Sequence, residues 1–323
     1  MGLLTAACLL LAVELFLHTD AFLVRYRSVF AAGRALDKVL YVETHRPELL
    51  ILGNSRADNG FDPVTLRSAL DLGLERPAFN LGLPGADARV LDGVVQRLDR
   101  AGSLGVGGAR YVVLSLDEAL VQPIDTIGQD VFFASIERMW DDGQYRDAFG
   151  ASFRLYGYAS NLRELREPAT LARFVRATFH DVDPVGGAAG EHLGYRAGFG
   201  GLQDAQSAQL QEVGSLGPPD AANLAHLWGM LDLLRSRGVR VAVVFPPLLN
   251  RDVLYLAGPA RERGPYLAIV EELNRRRIPT IALDLGPPRD VAGVDELGQA
   301  LGRIWSAAPG GNVEVQPQKV TLQ

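Results

Sequence analysis

The stretch of residues 49–58 constrains the fold more than any other part of the chain. It opens with a run of apolar side chains suited to a buried strand, and the run ends directly before Asn54 and the hydroxyl of Ser55. A polar turn then leads to Asp62 and Pro63, an aspartate cap and a first-turn proline that predict the start of a helix. A strand that ends at a serine and turns into a helix places that serine at the carboxyl end of a sheet, where open α/β sheets bind their ligands.

Strand and helix patterns alternate along most of the chain. Four more apolar runs are expected to be strands, at residues 79–82, 110–117, 239–245 and 278–283, and helical patterns separate them. This order predicts an α/β fold of three layers, with a mostly parallel five-stranded sheet covered by helices on both faces. Residues from about 119 to 217 break the alternation with helical segments and a glycine-rich passage, which predicts an inserted helical region that forms lids or substrate walls.

The sequence Gly53-Asn54-Ser55-Arg56 resembles the first block of the SGNH (GDSL-like) hydrolase superfamily. It has the Gly-x-Ser-Arg form of envelope-anchored members that act in polysaccharide or cell-wall acylation. The resemblance implies a flavodoxin-like fold in which Ser55 is the nucleophile and the amides of Ser55 and Gly82 hold the oxyanion. It also makes Asn54 and Arg56 candidate substrate contacts.

Two further blocks of the family fall near the ends of later strands. The resemblance assigns the second oxyanion amide to Gly82, with Gly85 as the alternative, although glycines here would equally suit an ordinary βα loop that needs a positive φ. The family places an asparagine after the third strand, where this chain has Asp117. An ionised carboxylate cannot donate to an oxyanion, so Asp117 is expected either to contact the substrate or to end the strand in solvent.

The last family block, Asp-x-x-His, is incomplete in this chain. Asp290 matches its aspartate, but Gly293 stands where the catalytic histidine belongs. Glycine cannot accept a proton, and an unactivated serine is a poor nucleophile near neutral pH. His180 and His192 belong to the insertion and could overhang the site, and His192 is the better candidate for a substitute base. His226 lies inside a predicted helix and is expected at a surface or half-buried position.

Two functions of different classes follow from the resemblance. In the first, Ser55 and Asp290 act on acyl (acetyl) esters of a cell-surface polysaccharide, as an esterase or O-acetyltransferase. In the second, the domain keeps the fold without turnover and binds an acylated glycan or docks beside a membrane O-acyltransferase. The glycine at 293 favours the second function, and the intact serine block and Asp290 favour the first. No cofactor or metal is expected, because the chain has no Walker or dinucleotide glycine pattern and no metal-ligand spacing.

The composition excludes a nucleic-acid surface. The formal net charge is −6, whereas nucleic-acid binding requires clustered basic residues. Lysine occurs only at Lys38 and Lys319, while the remaining thirty of the 32 basic residues are arginines. The one cysteine, Cys8, lies in an apolar N-terminal run, so the chain has no disulfide framework and no thiolate metal cluster.

The N-terminal apolar run predicts a membrane helix, with a buried amphipathic helix as the alternative. Glu14, His18 and Asp20 interrupt the run, and arginines follow it. The positive-inside rule would keep the side after the run in the cytoplasm. The resemblance instead implies a single-pass inner-membrane protein whose domain faces the periplasm or cell exterior, and we adopt that expectation.

These patterns divide the chain into four parts. The predicted parts are an anchor at 1–24, a linker helix at 25–47, an SGNH-like α/β domain at 48–306 and a disordered tail at 307–323.

Overall fold

The structure is a computed structural model that describes most of the chain. The described residues are 2–30, 33–70, 72–122, 132–133, 135–180, 192–196, 218–246, 260–285, 293–306 and 318–322. Within these ranges a single parallel sheet is covered by helices on both faces, and the predicted α/β class is confirmed.

The sheet has six strands, and every neighbouring pair is parallel. The strands are β1 (Leu49–Gly53), β2 (Ala78–Gly82), β3 (Tyr111–Ser115), β4 (Arg240–Phe245), β5 (Thr280–Leu285) and β6 (Gln318–Leu322). They lie in the order β2-β1-β3-β4-β5-β6, so the direction of winding reverses between β1 and β3. A reversal of this kind opens a crevice at the carboxyl ends of the two strands, which is the usual ligand site of such sheets.

The five expected strands are all present, and β6 extends the sheet beyond β5. The expectation of a disordered tail is therefore wrong for residues 318–322. Three of these five residues, Gln318, Lys319 and Thr321, are polar, so composition alone gave no strand signal. The segment becomes a strand because it pairs with the backbone edge that β5 would otherwise leave open.

The described helices alternate with these strands. They are α1 (Gly2–Leu17), α2 (Asp20–Tyr26), α3 (Gly33–His45), α4 (Ser55–Gly60), α5 (Pro63–Leu70), α6 (Ala88–Arg100), α7 (Ile136–Asp141), α8 (Tyr145–Ser152), α9 (Arg154–Gly157), α10 (Ala159–Arg163), α11 (Pro168–Phe179), α12 (Ala221–Ser236), α13 (Ala260–Arg275) and α14 (Gly293–Ser306).

The two faces of the sheet form two separate cores. Leu49 and Ile51 of β1 point to one core and Leu50 and Leu52 to the other, and all four are fully buried. This alternation follows the two-residue period of a strand. The first core is closed by α5 and α14, and the second by α3, α6, α12 and α13.

Close packing of α14 on α5 explains two glycines of the last helix. A Cβ built at Gly298 or Gly302 would come closer than 3.0 Å to atoms of Ala69 or Leu70, so larger side chains would separate the helices. These glycines fix the position of the helix that begins at Gly293.

The predicted linker at residues 25–47 belongs to the domain itself. Leu36, Val39 and Val42 of α3 are fully buried against the second core, and Tyr41 stacks on Phe79 of β2 at 4.4 Å between ring centroids. Burial of one apolar stripe is what stabilises a helix of this length. The helical pattern was therefore assigned correctly, but its separation from the domain was wrong.

The N-terminal helices are the candidates for membrane insertion. None of the described helices is by itself long and apolar enough to cross a membrane, and α1 and α2 meet that requirement only as a pair bent by 73°.

Candidate active site at the carboxyl ends of β1 and β3

The junction from β1 to α4 places Ser55 at the crevice between β1 and β3. Gly53 has a φ of +151°, and a Cβ there would lie 2.7 Å from the Cβ of Ala57, so the turn requires glycine. The Asn54 side chain caps α4 by accepting from the N–H of Arg56 at 2.9 Å. Ser55 is the first residue of the helix and is half-buried. Its backbone N–H has no intrahelical acceptor because of this position.

Asp117 ties the end of β3 to the Ser55 turn. The Asn54 amide donates to both Asp117 carboxylate oxygens, at 2.9 and 2.8 Å, and Arg56 forms an ion pair with the same carboxylate at 3.0 Å. The N–H of Leu120 also donates to it at 3.2 Å. The expectation that Asp117 ends a strand in solvent is wrong, because only 2% of the residue is exposed. Its carboxylate instead positions Asn54 and Arg56.

Gly82 lies beside the Ser55 turn, since it pairs in register with Gly53. A Cβ at Gly82 would come closer than 3.0 Å to the backbone N of Asp58, so only glycine permits α4 to pack here. The Gly82 N–H donates to Asn80 Oδ1 at 2.8 Å. Because an amide has one hydrogen, Gly82 would have to exchange this bond in order to hold an oxyanion. The alternative donor, Gly85, has a φ of +78°, which is the conformation that the turn between β2 and α6 requires of a glycine.

Asn80 anchors the whole of α4. Its side-chain amide donates to the carbonyl oxygens of Ala57 and Phe61, at 2.7 Å each, and the side chain is fully buried. Buried amides are held in one orientation when all their hydrogen bonds are made. Asn80 is therefore a positioning residue for α4, a role that no pattern in the sequence indicated.

A buried ion pair lies behind α4. Lys38 Nζ donates to Asp58 Oδ1 and to the carbonyl oxygen of Gly82, at 2.6 Å each, and Arg34 donates to the same Asp58 oxygen at 2.9 Å. The side chains of Lys38 and Asp58 are both 0% exposed. Burial lowers the pKa of Lys38 to about 8, although the neighbouring Asp58 carboxylate opposes the shift. Sequence reasoning missed this pair, and its one signal was that Lys38 is one of only two lysines in an arginine-rich chain.

Residues 192–196 of the insertion pack along β2 and next to α4. The carbonyl oxygen of Leu193 accepts from the N–H of Asn80 at 2.8 Å, and that of Gly194 accepts from Arg34 at 3.0 Å. His192 is exposed at the start of this segment. Within the described residues, no hydrogen bond joins His192 to Ser55, so its role as the base stays a prediction.

Only part of the predicted triad lies within the described residues. The structure gathers Asn54, Ser55, Arg56, Gly82 and Asp117 at one edge of the sheet. The predicted catalytic aspartate, residue 290, lies outside the described residues, and its placement stays a prediction. A pocket of about 300 Å³ lies between α5, the loop after it and Leu193, and none of these five site residues lines it. No group of three or more potential metal ligands is found in the described ranges.

His226 does not have the surface position expected of it. Only 4% of the residue is exposed, and its two ring nitrogens lie 2.8 Å from Asp92 and 2.7 Å from Asp142. Arg138 also contacts Asp92. These side chains come from α6, α7, α12 and the turn after α7, so the cluster fastens the insertion to the helix layer and leaves His226 with a structural role.

Comparisons with known proteins give no relative for this chain. No protein-family model, no curated protein and no solved structure matches it.

Proposed function

We propose that the chain is an SGNH-like acyl-ester enzyme with Ser55 as its nucleophile. Its substrates would be acetyl esters of a cell-surface polysaccharide, and it would act as an esterase or as an O-acetyltransferase. The observation that carries the proposal is the position of Ser55, half-buried at the crevice where the sheet order reverses. The turn around it is built from Asn54, Asp117 and glycines, which hold the serine in place.

The chemistry would follow the usual course of acyl transfer. Ser55 Oγ attacks the ester carbonyl carbon and its proton passes to a base. The base then returns the proton to the sugar oxygen, which leaves as the tetrahedral intermediate collapses to an acyl-serine. Water then releases acetate, or a second sugar hydroxyl takes the acetyl group. The Ser55 N–H is the first candidate donor to the oxyanion, because it opens α4 without an intrahelical acceptor. Asp290 and His192 are the residues proposed to serve the proton transfer.

A second candidate function is binding without turnover. The glycine at 293 and the engaged amide of Gly82 both favour it. In that case the same crevice would bind an acylated glycan, and the protein would act as a scaffold beside a membrane O-acyltransferase.

A serine-directed fluorophosphonate probe distinguishes the two functions. The purified full chain is labelled in mild detergent and compared with Ser55→Ala and with Ser68→Ala, which removes a hydroxyl from the exposed side of α5. Labelling that disappears only in Ser55→Ala supports an activated nucleophile. An unlabelled wild-type protein contradicts the enzyme proposal and favours binding.

Restoring the missing histidine tests the assignment of the last block. If Gly293 occupies the position of the family's histidine, Gly293→His should raise hydrolysis of p-nitrophenyl acetate, and adding Ser55→Ala should abolish the gain. No gain in a variant that folds would contradict the alignment of that block, whereas a gain that survives Ser55→Ala would place the activity elsewhere.

A further inference from the structure

The helix α1 is apolar on all sides and is not covered by the domain. Leu9, Leu10 and Leu11 are 62%, 60% and 59% exposed, although consecutive residues point to different sides of a helix. Helices that are apolar all round are normally buried, either in protein or in lipid. The medium that covers α1 is therefore not water.

The base of α1 is fixed to the insertion through Glu14. Its carboxylate accepts from the backbone N–H groups of Arg154 and Leu155, at 2.6 and 2.9 Å, and from His18 at 2.8 Å. The charge that interrupts the apolar run thus caps the start of α9. Any medium that surrounds α1 must also meet the insertion at this point.

Exposed apolar side chains of the insertion adjoin the base of α1. We call them the collar, and their exposed fractions run from 42% to 77%; they are Phe149, Phe153, Tyr156, Leu171, Val175 and Phe179. The first three form one aromatic group at the start of α9, beside Glu14. The last three are spaced by four residues on α11 and lie on one face of that helix.

The opposite face of α11 packs on α2, directly after α1. Arg25 donates to the carbonyl oxygen of Thr178 at 2.9 Å, and Tyr26 stacks on Phe174 at 5.0 Å between ring centroids. The exposed face of α11 is thus held next to the anchor, but no described residue covers it.

The collar is set in a basic segment of an acidic protein. Residues 145–180 contain six arginines and three carboxylates, whereas the whole chain has a net charge of −6. Arg163, Arg166 and Arg176 form no ion pair with another described residue. Aromatic side chains and arginines together are typical of the interface between a bilayer and water, and each basic residue near an anionic surface strengthens binding.

We propose that the collar is a lipid-binding surface that seats the insertion on an anionic membrane around the base of α1. The apolar side chains enter the headgroup layer and the arginines contact lipid phosphates. This proposal does not require the site at Ser55 to be catalytic.

Spin labels on the full chain test the proposal. Cys8→Ser removes the native thiol, and a label is attached at Val175→Cys or Phe179→Cys; the control is Val106→Cys, which is 102% exposed in the turn before β3. Because β3 is parallel to β1, this turn lies at the amino edge of the sheet, away from Ser55. All the labelled positions are exposed, so circular dichroism should show an unchanged fold. The protein is reconstituted into vesicles of phosphatidylcholine and phosphatidylglycerol.

The readout compares the relaxation of each label by oxygen, which enriches in lipid, with its relaxation by a water-soluble nickel chelate. We expect the ratio to be several-fold higher at positions 175 and 179 than at 106, and to fall when phosphatidylglycerol is omitted. Equal ratios at all three positions would overturn the proposal. Collar labels shielded from both reagents would also overturn it, because they would indicate a protein partner or a second copy. A ratio independent of phosphatidylglycerol would refute the anionic requirement.

Discussion

Replacing Lys38 by methionine measures what the buried ion pair behind the candidate site contributes to stability. Lys38 and Asp58 are both 0% exposed, and the variant removes two hydrogen bonds of 2.6 Å, to Asp58 and to the carbonyl oxygen of Gly82. Removing one partner of a buried pair costs about 3–5 kcal/mol, because the other charge is left uncompensated. Arg34 still pairs with Asp58, so we expect the lower end of that range, roughly 3 kcal/mol.

The double variant Lys38→Met/Asp58→Leu separates the cost of a stranded charge from the loss of packing. Replacing both partners of a buried pair by apolar residues is often close to neutral. We therefore expect the double variant to be more stable than the sum of the two single effects by about 1–3 kcal/mol. Lys38→Arg is the matched charge control. It keeps the positive charge but adds volume to a filled site, and such overpacking costs roughly 1–3 kcal/mol.

Urea unfolding of the full chain in mild detergent, followed by tryptophan fluorescence, provides the free energies. The midpoint should fall in Lys38→Met while the m-value stays constant, since the surface exposed on unfolding does not change. A cost below about 1 kcal/mol in Lys38→Met would refute the reasoning. Strict additivity of the two single variants would do the same, because it would mean that the two charges do not interact.

Three more measurements follow from the same structure. Burial lowers the pKa of Lys38 from 10.5 to about 8, so between these pH values the unfolded chain binds more protons than the folded protein. The stability of wild type relative to Lys38→Met should therefore rise as the pH is raised from 8 to 10.5. A difference in urea midpoint that does not change with pH would contradict this. Gly82→Ala should lower stability by about 1–3 kcal/mol, because its Cβ would meet the backbone of α4, whereas Gly60→Ala has open space and should be neutral in the same thermal melt. His226→Phe leaves the carboxylates of Asp92 and Asp142 without the imidazole and should lower the free energy of unfolding by about 1–3 kcal/mol. Limited proteolysis should then cut the insertion first. Cleavage spread evenly over the chain would argue against a role of His226 in holding the insertion to the domain.

The first five strands could be predicted from the sequence because the sheet is covered on both faces. A strand buried on both sides is a continuous apolar run, and the fully buried residues of β1 and β3 read in this way. The turn at Ser55 was also predictable, since a glycine and a capping asparagine are local signals. The strand β6 could not be predicted from the sequence, because an edge strand pairs with only one neighbour and can be largely polar.

The partners of the polar residues could not be predicted, because they come from distant parts of the chain. Lys38 meets Asp58 only when α3 packs beside β2, and Asp117 meets Asn54 and Arg56 only when the turn after β1 lies beside the end of β3. His226 looked like a surface residue because its own helix offers no acid to either ring nitrogen. Such pairs form only through tertiary packing. Hydrophobic periodicity predicts single helices and strands, so it does not show which residues of different elements meet.

The direction of α3 decides which end of the sheet lies nearest the N-terminal helices. Arg34, in its first turn, reaches Asp58 at the carboxyl edge, and its last residue, His45, leads down to the opposite edge where β1 begins. The helices α1 and α2 therefore join the domain on the side where Ser55 opens. If α1 and α2 insert into a bilayer, Ser55 therefore opens towards the lipid surface and not away from it.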